Sequence, residues 1–462
     1  MSEKAAARSR RIVTEPIRPL LVQLTFSAMI GNLAMHLMGI VDTFYISRLG
    51  TVELAAASFV IPIHTIYISL GLGIGMGMSS LNSRLIGESR FADSSRLIRD
   101  GLLFAGMFAV TAALIGSLFM TPLFRLLGAD ERTLPYIRDY MSILLLALPP
   151  LMLVVIGNST FRSMGNIRMS ATLAACLSVL NITIDPLLIF GIGPFPQMGI
   201  RGAATATFLS ATITLLISLY VLGFYEKLLD LAMPRWQHLK SNWAQILSIG
   251  VPAMGANIMT PLAAAIMTAM VARFGDVVVA GFGVGSRVET ISLIFVMALS
   301  STVPMFIGQN LGAGRNDRAY TALMGSLKFV LVFQFVIYAV LWLLGDTIAA
   351  TFSANPEVTT VIKTYLLILP LTYGAHGVVV LCMVALNVMR KPRIALLLTF
   401  TRLMVLYIPL AWVGAQLGGL KGLFIGAALG NVLACGFAWV MIQRVCHELG
   451  LKQDAKPAAT TT

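Results

Sequence analysis

The sequence predicts an all-α integral membrane protein with twelve transmembrane helices in two pseudo-symmetric six-helix lobes. Three observations favour this fold class: a very apolar composition, apolar stretches of spanning length, and an internal repeat. Hydrophobic residues make up 57% of the 462 residues and charged residues only 11%, with a mean hydropathy of +0.85. A water-soluble domain of this composition would expose a large apolar surface and aggregate. We therefore expect the chain to lie in lipid.

Apolar stretches long enough to cross a bilayer, which takes about 20 residues, recur along the whole chain. They begin near residues 20, 54, 101, 141, 171, 203, 245, 278, 325, 360, 395 and 422. Glycine and proline lie in the gaps, and a helix satisfies its own backbone polar groups in lipid. The sequence therefore predicts twelve spanning helices.

The longest polar interruption divides these stretches into two groups of six. We expect an N-terminal lobe of residues 1–226 that carries a cation site, a cytoplasmic linker of residues 227–242, and a C-terminal lobe of residues 243–462 that ends in a cytoplasmic tail. The lobes repeat at an offset of about 225 residues, so that Tyr140 corresponds to Tyr365. An even number of helices in each repeat indicates a parallel duplication.

Lysine and arginine set the expected orientation. With the N-terminus inside, about 23 of these residues fall on the cytoplasmic side and about 8 on the other, as the positive-inside rule requires. We expect a multi-pass protein of the inner membrane with both termini in the cytoplasm. The net charge of +13 is spread over short clusters between apolar stretches, so it indicates topology and not a nucleic-acid partner.

Two carboxylates interrupt apolar stretches of the first lobe, Asp42 in the first and Asp185 in the fifth. Such a charge at membrane depth is costly and usually marks an ion pathway. In the repeat, Asp42 aligns with Met267 and Asp185 with Ile408, so folding alone does not require these acids. The bland alternative is that Asp42 lies near the outer interface and that Asp185 hydrogen-bonds to a neighbouring helix.

Further polar residues surround these acids in the predicted arrangement. Asn181 lies one helical turn before Asp185 and shares its face, and Pro186 cannot donate to the carbonyl of Ile182. A hydroxyl from Thr205 or Thr207 in the sixth helix extends the network, and Asn158 in the fourth helix either extends it as well or only joins two helices by a hydrogen bond. Two carboxylates in a low-dielectric cavity titrate as a unit, so the set predicts a site for H⁺ or Na⁺.

Several other polar residues lie at membrane depth. Arg287 and Glu289 lie in the eighth stretch and Arg402 in the eleventh, and we expect a pair across helices, such as Glu289 with Arg402. His36 of the first helix is interpreted as structural. A flexible drug-binding cavity would draw on residues of the first, sixth and seventh helices: Met35, Met38, Thr205, Met259 and Met267.

The chain contains no HExxH, GxSxG or Walker A motif, so we expect neither an enzyme nor ATP-driven transport. Other motifs carry a resemblance. They are Val41-Asp42-Thr43, Arg48-Leu49-Gly50, the stretch from Asn181 to Gly191 with Asp185-Pro186, Gly202-Ala203-Ala204-Thr205-Ala206-Thr207, and Gly250-Val251-Pro252. Together with the duplicated layout, they resemble the multidrug and toxic compound extrusion (MATE) family over nearly the full length, and most of all its prokaryotic DinF-type branch.

The resemblance implies a V of two lobes around a central cavity and export of lipophilic, often cationic compounds by cation-coupled antiport. It places the cation site on Asp42, Asn181, Asp185 and Thr207, with Asn158 nearby, and these first four residues would be the metal ligands if Na⁺ binds. Other branches carry acids in the seventh and tenth helices, whereas the tenth here has none. We therefore favour H⁺ over Na⁺.

The resemblance also sets the expected partners and the main alternative. We expect a monomer whose partners are a drug-like small molecule and membrane lipid, with no cofactor beyond the coupling ion. The alternative function is a flippase for lipid-linked oligosaccharide or another lipid-like substrate, which shares the broader superfamily fold. A passive channel would require a repeated ring of pore residues, which the sequence does not show.

Overall fold

The computed structural model describes residues 3–228 and 235–451, nearly all of which are helical. The predicted linker and tail fall partly on residues 229–234 and 452–462, which lie outside the described residues. The first half contains α1 (Glu3–Thr14), α2 (Ile17–Ser47), α3 (Thr51–Gly87), α4 (Phe91–Leu126), α5 (Leu134–Ser163), α6 (Ile167–Phe190) and α7 (Ile200–Tyr220), which continues into a π-type turn at Val221–Tyr225.

The second half contains eight helices in the described part of the chain. They are α8 (Trp236–Ala272), α9 (Asp276–Ser292), α10 (Ile294–Gly312), α11 (Asn316–Phe352), α12 (Pro356–Ile368), α13 (Tyr373–Val388), α14 (Pro392–Phe400) and α15 (Ile408–Glu448). Two spans are each made of two helices in sequence, α9 with α10 and α12 with α13, and α14 with α15 forms one longer continuous stretch.

Eleven helical stretches among the described residues are long and apolar enough to cross a membrane. The last of them, Pro392–Glu448, has 57 residues, which at about 1.5 Å per residue is far longer than one crossing needs. It is interrupted at Gly418 and Gly419, where Gly419 adopts φ 57° and ψ −141°, a conformation open to glycine. This stretch therefore supplies two spans, and the predicted all-α fold with twelve spans is confirmed.

The short helix α1 precedes the first span and is tied to the far end of the first half. Arg8 Nη2 lies 2.7 Å from both carboxylate oxygens of Glu226, and Asn166 Nδ2 donates to Glu226 Oε1 at 2.9 Å. Glu226 is fully buried. The arginine and the amide compensate a carboxylate that burial would otherwise make costly.

Tertiary contacts divide the chain into two compact units, Met1–Glu15 with Val22–Met254, and Pro16–Leu21 with Gly255–Thr462. The division falls inside α8, beyond the predicted linker. The predicted lobe bounds stay predictions, since these units follow contacts and not membrane spans.

The amino-terminal half of α8 is bound to the first unit by polar and close contacts. Asn242 Nδ2 donates to Asp100 Oδ2 at 2.7 Å, and Trp243 Nε1 donates to the Asp100 carbonyl at 2.9 Å. A Cβ on Gly77 would lie 2.5 Å from the Ile246 carbonyl oxygen, so glycine lets α3 and α8 approach backbone to backbone.

Candidate functional site

Asn181 and Asp185 lie on one face of α6, as their spacing predicts, and both are fully buried. Asn181 Nδ2 donates to Asp185 Oδ1 at 3.4 Å. The helix runs on through Pro186 to Phe190, and Gly191 ends it in the left-handed conformation at φ 70°. The local sequence thus holds an amide and a carboxylate together inside a membrane-spanning helix.

The helix α7 contributes Thr207 and not Thr205 to this cluster. Asn181 Nδ2 donates to Thr207 Oγ1 at 3.3 Å, and the Thr207 hydroxyl donates to the Ala203 carbonyl at 3.2 Å. The Thr205 hydroxyl instead donates to the Arg201 carbonyl at 2.8 Å. Two residues along a helix are about 200° apart around its axis, so the two threonines face different surroundings.

Asp42 of α2 and Tyr140 of α5 complete the cluster. Asp42 interacts electrostatically with Asp185, and Tyr140, which is buried, interacts with both carboxylates. Tyr140 was expected only as the repeat partner of Tyr365 and was not among the predicted site residues. A tyrosine repeated at the same position of both halves was the available signal.

The cluster contains more buried acceptors than donors. Within residues 3–228 and 235–451, the buried atoms Asp42 Oδ1, Asn181 Oδ1 and Asp185 Oδ2 have no hydrogen-bond partner. The Asn181 Nδ2 group donates to Asp185 and to Thr207, whereas the Asn181 Oδ1 atom still requires a donor. Because buried polar groups in proteins are nearly always satisfied, this arrangement is suited to bind a species that supplies protons or positive charge.

The other predicted site residues lie outside these contacts. Asn158 of α5 has a buried Oδ1 without a partner in the described part of the chain. Met35 is 44% exposed, whereas Met267 is 1% exposed and offers almost no surface to a ligand. Met38 and Met259 are half-buried. The cavity assignments stay predictions.

A second polar cluster lies in the other unit and is centred on Glu289 of α9. The Tyr365 hydroxyl donates to Glu289 Oε2 at 2.6 Å, and His376 Nδ1 lies 3.7 Å from Glu289 Oε1. Arg402 acts on Glu289 electrostatically. His376 was not among the predicted residues, because a lone histidine in an apolar stretch carries no spacing signal.

Arg402 lies in the π-type turn Thr401–Tyr407 and has its own partner. Its Nε donates to Asn431 Oδ1 at 3.3 Å, and Asn431 Nδ2 donates to Thr372 Oγ1 at 3.4 Å. The expected direct pair of Glu289 with Arg402 is therefore wrong. Glu289 contacts Tyr365 and His376, Arg402 contacts Asn431, and the charges of Glu289 and Arg402 interact at longer range. Arg287 and His36 are exposed.

Comparisons with known proteins bear on the whole chain. The family profile described as MatE matches residues 27–187 and 252–413, which agrees with the predicted duplication. A FAD transporter of Shewanella oneidensis is 39% identical over 436 residues, covering 94% of this chain and 96% of that protein. The probable multidrug resistance protein YoeA of Bacillus subtilis is 25% identical over 332 residues, covering 71% and 72%.

Solved structures of transporters share the fold. The crystal structure of the Vibrio cholerae MATE transporter VcmN in the bent form aligns with a TM-score of 0.89 and 29% sequence identity, and the alignment covers 96% of this chain and 99% of that chain.

Proposed function

The chain belongs to the multidrug and toxic compound extrusion (MATE) family of membrane transporters, and we propose that it is a proton-coupled antiporter of the inner membrane. In this proposal, protons enter the first unit through the Asp42–Asp185 cluster and drive export of a small organic molecule by alternating access. The DinF-type assignment and the cytoplasmic position of both termini belong to the same proposal.

The observation that carries proton coupling is the excess of acceptors around Asn181. A carboxylate only accepts hydrogen bonds, whereas a protonated carboxyl also donates one. Protonation of either acid would supply a donor to Asn181 Oδ1 or to the other carboxyl. It would also remove a charge that is expensive at membrane depth. The proton is thus the smallest change that satisfies the cluster.

Na⁺ is the competing coupling ion, with Asp42, Asn181, Asp185 and Thr207 as its ligands. Hard cations are held by several oxygen ligands at once. The Thr207 hydroxyl already donates to Ala203 and accepts from Asn181, so it is less free to coordinate an ion than the three unpartnered oxygens. This difference favours H⁺.

Proteoliposomes with independently imposed gradients test the coupling ion. A pH gradient alone should drive substrate exchange, and a Na⁺ gradient at equal pH should not. Exchange driven by Na⁺ alone would replace the proton by sodium, and exchange indifferent to both gradients would remove coupling from the proposal.

For the substrate we propose a flavin nucleotide such as FAD. The support is the FAD transporter of Shewanella oneidensis, which matches at 39% identity over 94% of this chain, compared with 25% over 71% for YoeA. Lipophilic cations, the class expected from the family resemblance, are the competing substrate. Uptake of FAD and of ethidium into everted vesicles separates the two: FAD uptake alone supports the proposal, and ethidium uptake alone contradicts it.

The flippase alternative requires a different ligand. A lipid-linked oligosaccharide carries a pyrophosphate on a polyprenyl chain, so binding of polyprenyl pyrophosphate that excludes FAD would favour the flippase. We expect FAD to bind and the lipid pyrophosphate not to compete with it.

A further inference from the structure

The hydroxyl side chains of α7 fall into two sets, one bonded to its own helix and one not. Thr205, Thr207 and Thr212 each donate to the carbonyl four residues earlier. The second set, Ser210, Thr214 and Ser218, is at most 1% exposed, and its hydroxyl oxygens have no hydrogen-bond partner among the residues that the structure describes. Hydroxyls that do not bond to their own helix are directed at something else.

These three residues form one stripe with Thr207. Spacings of three and four residues place all four on the same face of a helix. The stripe therefore begins at the residue that receives the Asn181 amide and runs toward Glu226, the buried carboxylate that follows the π-type turn. That end of α7 is the one that the basic residues assign to the cytoplasm.

The stripe faces α5 at its far end. A Cβ on Gly157 would lie 2.5 Å from Ser218 Oγ, so the glycine leaves room for this hydroxyl between the two helices. Asn158, the next residue of α5, has a buried Oδ1 that also lacks a partner in the described chain. The far end of the stripe thus lies in the contact between α5 and α7.

The spacing of the hydroxyls suits ordered water. Four residues along a helix advance by about 6 Å, and two O–H···O bonds of about 2.8 Å each span nearly the same distance. One water between successive hydroxyls would give each of them a partner, as buried water commonly does. A hydroxyl both donates and accepts, so such a row can pass a proton along.

We propose that Ser210, Thr214 and Ser218, with bridging water, form the path by which protons leave the Asp42–Asp185 cluster toward the cytoplasmic end of α7. The inference rests on the proposed proton coupling and adds its route.

The charged groups along this route are few. Asp42 and Asp185, with Tyr140, lie at the start, and Glu226 with Arg8 lies at the end. Arg162 of α5 donates to Ser159 Oγ at 2.9 Å, on a side where Ser159 approaches Gly75 of α3. The arginine is thus engaged away from α7.

The test uses three variants: Thr214→Val, Ser218→Ala, and the double variant that combines these two substitutions. The control is Thr212→Val, which removes a hydroxyl already bonded to its own helix. Substrate-driven proton movement in proteoliposomes should slow by about tenfold in the double variant, less than the roughly 10²- to 10⁴-fold that a positioned acid or base contributes, because Ser210 and water remain on the route. The substrate KM should stay constant, and Thr212→Val should match the parent. A larger solvent isotope effect in Thr214→Val would mark proton transfer as the slowed step.

A second pair of variants acts without removing any hydroxyl. Gly157→Ala would displace the Ser218 hydroxyl, whereas Gly106→Ala, whose new Cβ would have its nearest neighbour at 3.9 Å, would not. Gly157→Ala should slow proton movement and Gly106→Ala should not, at equal thermal stability.

The outcomes separate the route from the coupling. Proton-driven exchange that is unchanged in the double variant overturns the path and leaves the proposed function intact. A parent protein that moves no protons overturns both.

Discussion

Each unit holds a polar network around carboxylates of its membrane-spanning helices, and the networks differ in their balance of donors and acceptors. In the first unit, one buried side-chain oxygen each of Asp42, Asn181 and Asp185 has no hydrogen-bond partner within residues 3–228 and 235–451. In the second unit, Glu289 accepts from Tyr365 at 2.6 Å and faces His376. A carboxylate that already has donors is satisfied in its ionised form. Under the proposed proton coupling, the network with unsatisfied acceptors is therefore the one expected to bind the proton.

The internal repeat makes this comparison close to a matched experiment. Tyr140 and Tyr365 occupy equivalent positions in the two halves, and each is buried beside acids of its own unit. The duplicated scaffold thus offers a phenol at the same place in both networks. What differs is whether that phenol is bound to the carboxylate by a short hydrogen bond.

The largest effect is expected from the acids of the first unit. Asp185→Asn and Asp42→Asn each remove a proton acceptor at the centre of the cluster, so substrate-driven proton movement should fall by at least about a hundredfold. Asp139→Asn is the matched control, because Asp139 is exposed and paired with Arg201 at 2.6 Å. Normal proton movement in both cluster variants would remove these acids from the mechanism.

The next effect compares two threonines of α7. Thr207→Val deletes the hydroxyl that accepts from Asn181, and the loss should slow proton-coupled exchange by about tenfold, less than the roughly 10²-fold or more expected for an acid that carries the proton itself. Thr205→Val deletes a hydroxyl bonded only to its own helix and should leave the rate unchanged. Equal rates in the two variants would contradict the placement of Thr207 in the cluster.

The equivalent tyrosines should respond in opposite ways. Tyr365→Phe removes a short hydrogen bond to the half-buried carboxylate of Glu289, and the free energy of unfolding should fall by about 2 kcal/mol while proton movement persists. Tyr140→Phe should slow proton movement and change stability less. Thermal unfolding in detergent and proton uptake in proteoliposomes measure the two responses, and a reversal of this pattern would exchange the roles of the units.

The smallest effect on coupling is expected from Glu289→Gln. The amide oxygen still accepts from Tyr365, so exchange stoichiometry should stay at the parent value while the interaction with His376 weakens. If protons per substrate fall in Glu289→Gln, the second network also carries protons and the comparison fails.

The sequence predicted the fold and much of the first cluster for identifiable reasons. The recurrence of apolar stretches predicted twelve spans, including the two that are separated by the break at Gly418 and Gly419 inside α15. The spacing of Asn181 and Asp185 predicted their shared face. Helix spacing alone left Thr205 and Thr207 open, because the choice depends on how α6 and α7 are rotated against each other; the family resemblance selected Thr207, the threonine that lies beside Asn181.

The same limit applies to partners across helices. Glu289 was expected to pair directly with Arg402, but the side chains that lie against its carboxylate are those of Tyr365 and His376. Whether a serine or threonine bonds to its own helix depends on a side-chain torsion and on the neighbour that packs against it. The distinction between Thr212 and Thr214 in α7 was therefore visible only with coordinates.

The attachment of the start of α8 to Asp100 bears on how this transporter can be divided. A cut within residues 229–234 would yield two polypeptides, and the second would carry a segment whose side chains dock on the first. Fragments made this way would associate through Asn242 and Trp243 of the second fragment, which donate to Asp100 of the first. A first fragment expressed by itself would lose both of these donors, and the Asp100 carboxylate would keep its contact with Arg99. Split reporters for assembly in cells should accordingly be placed in this stretch.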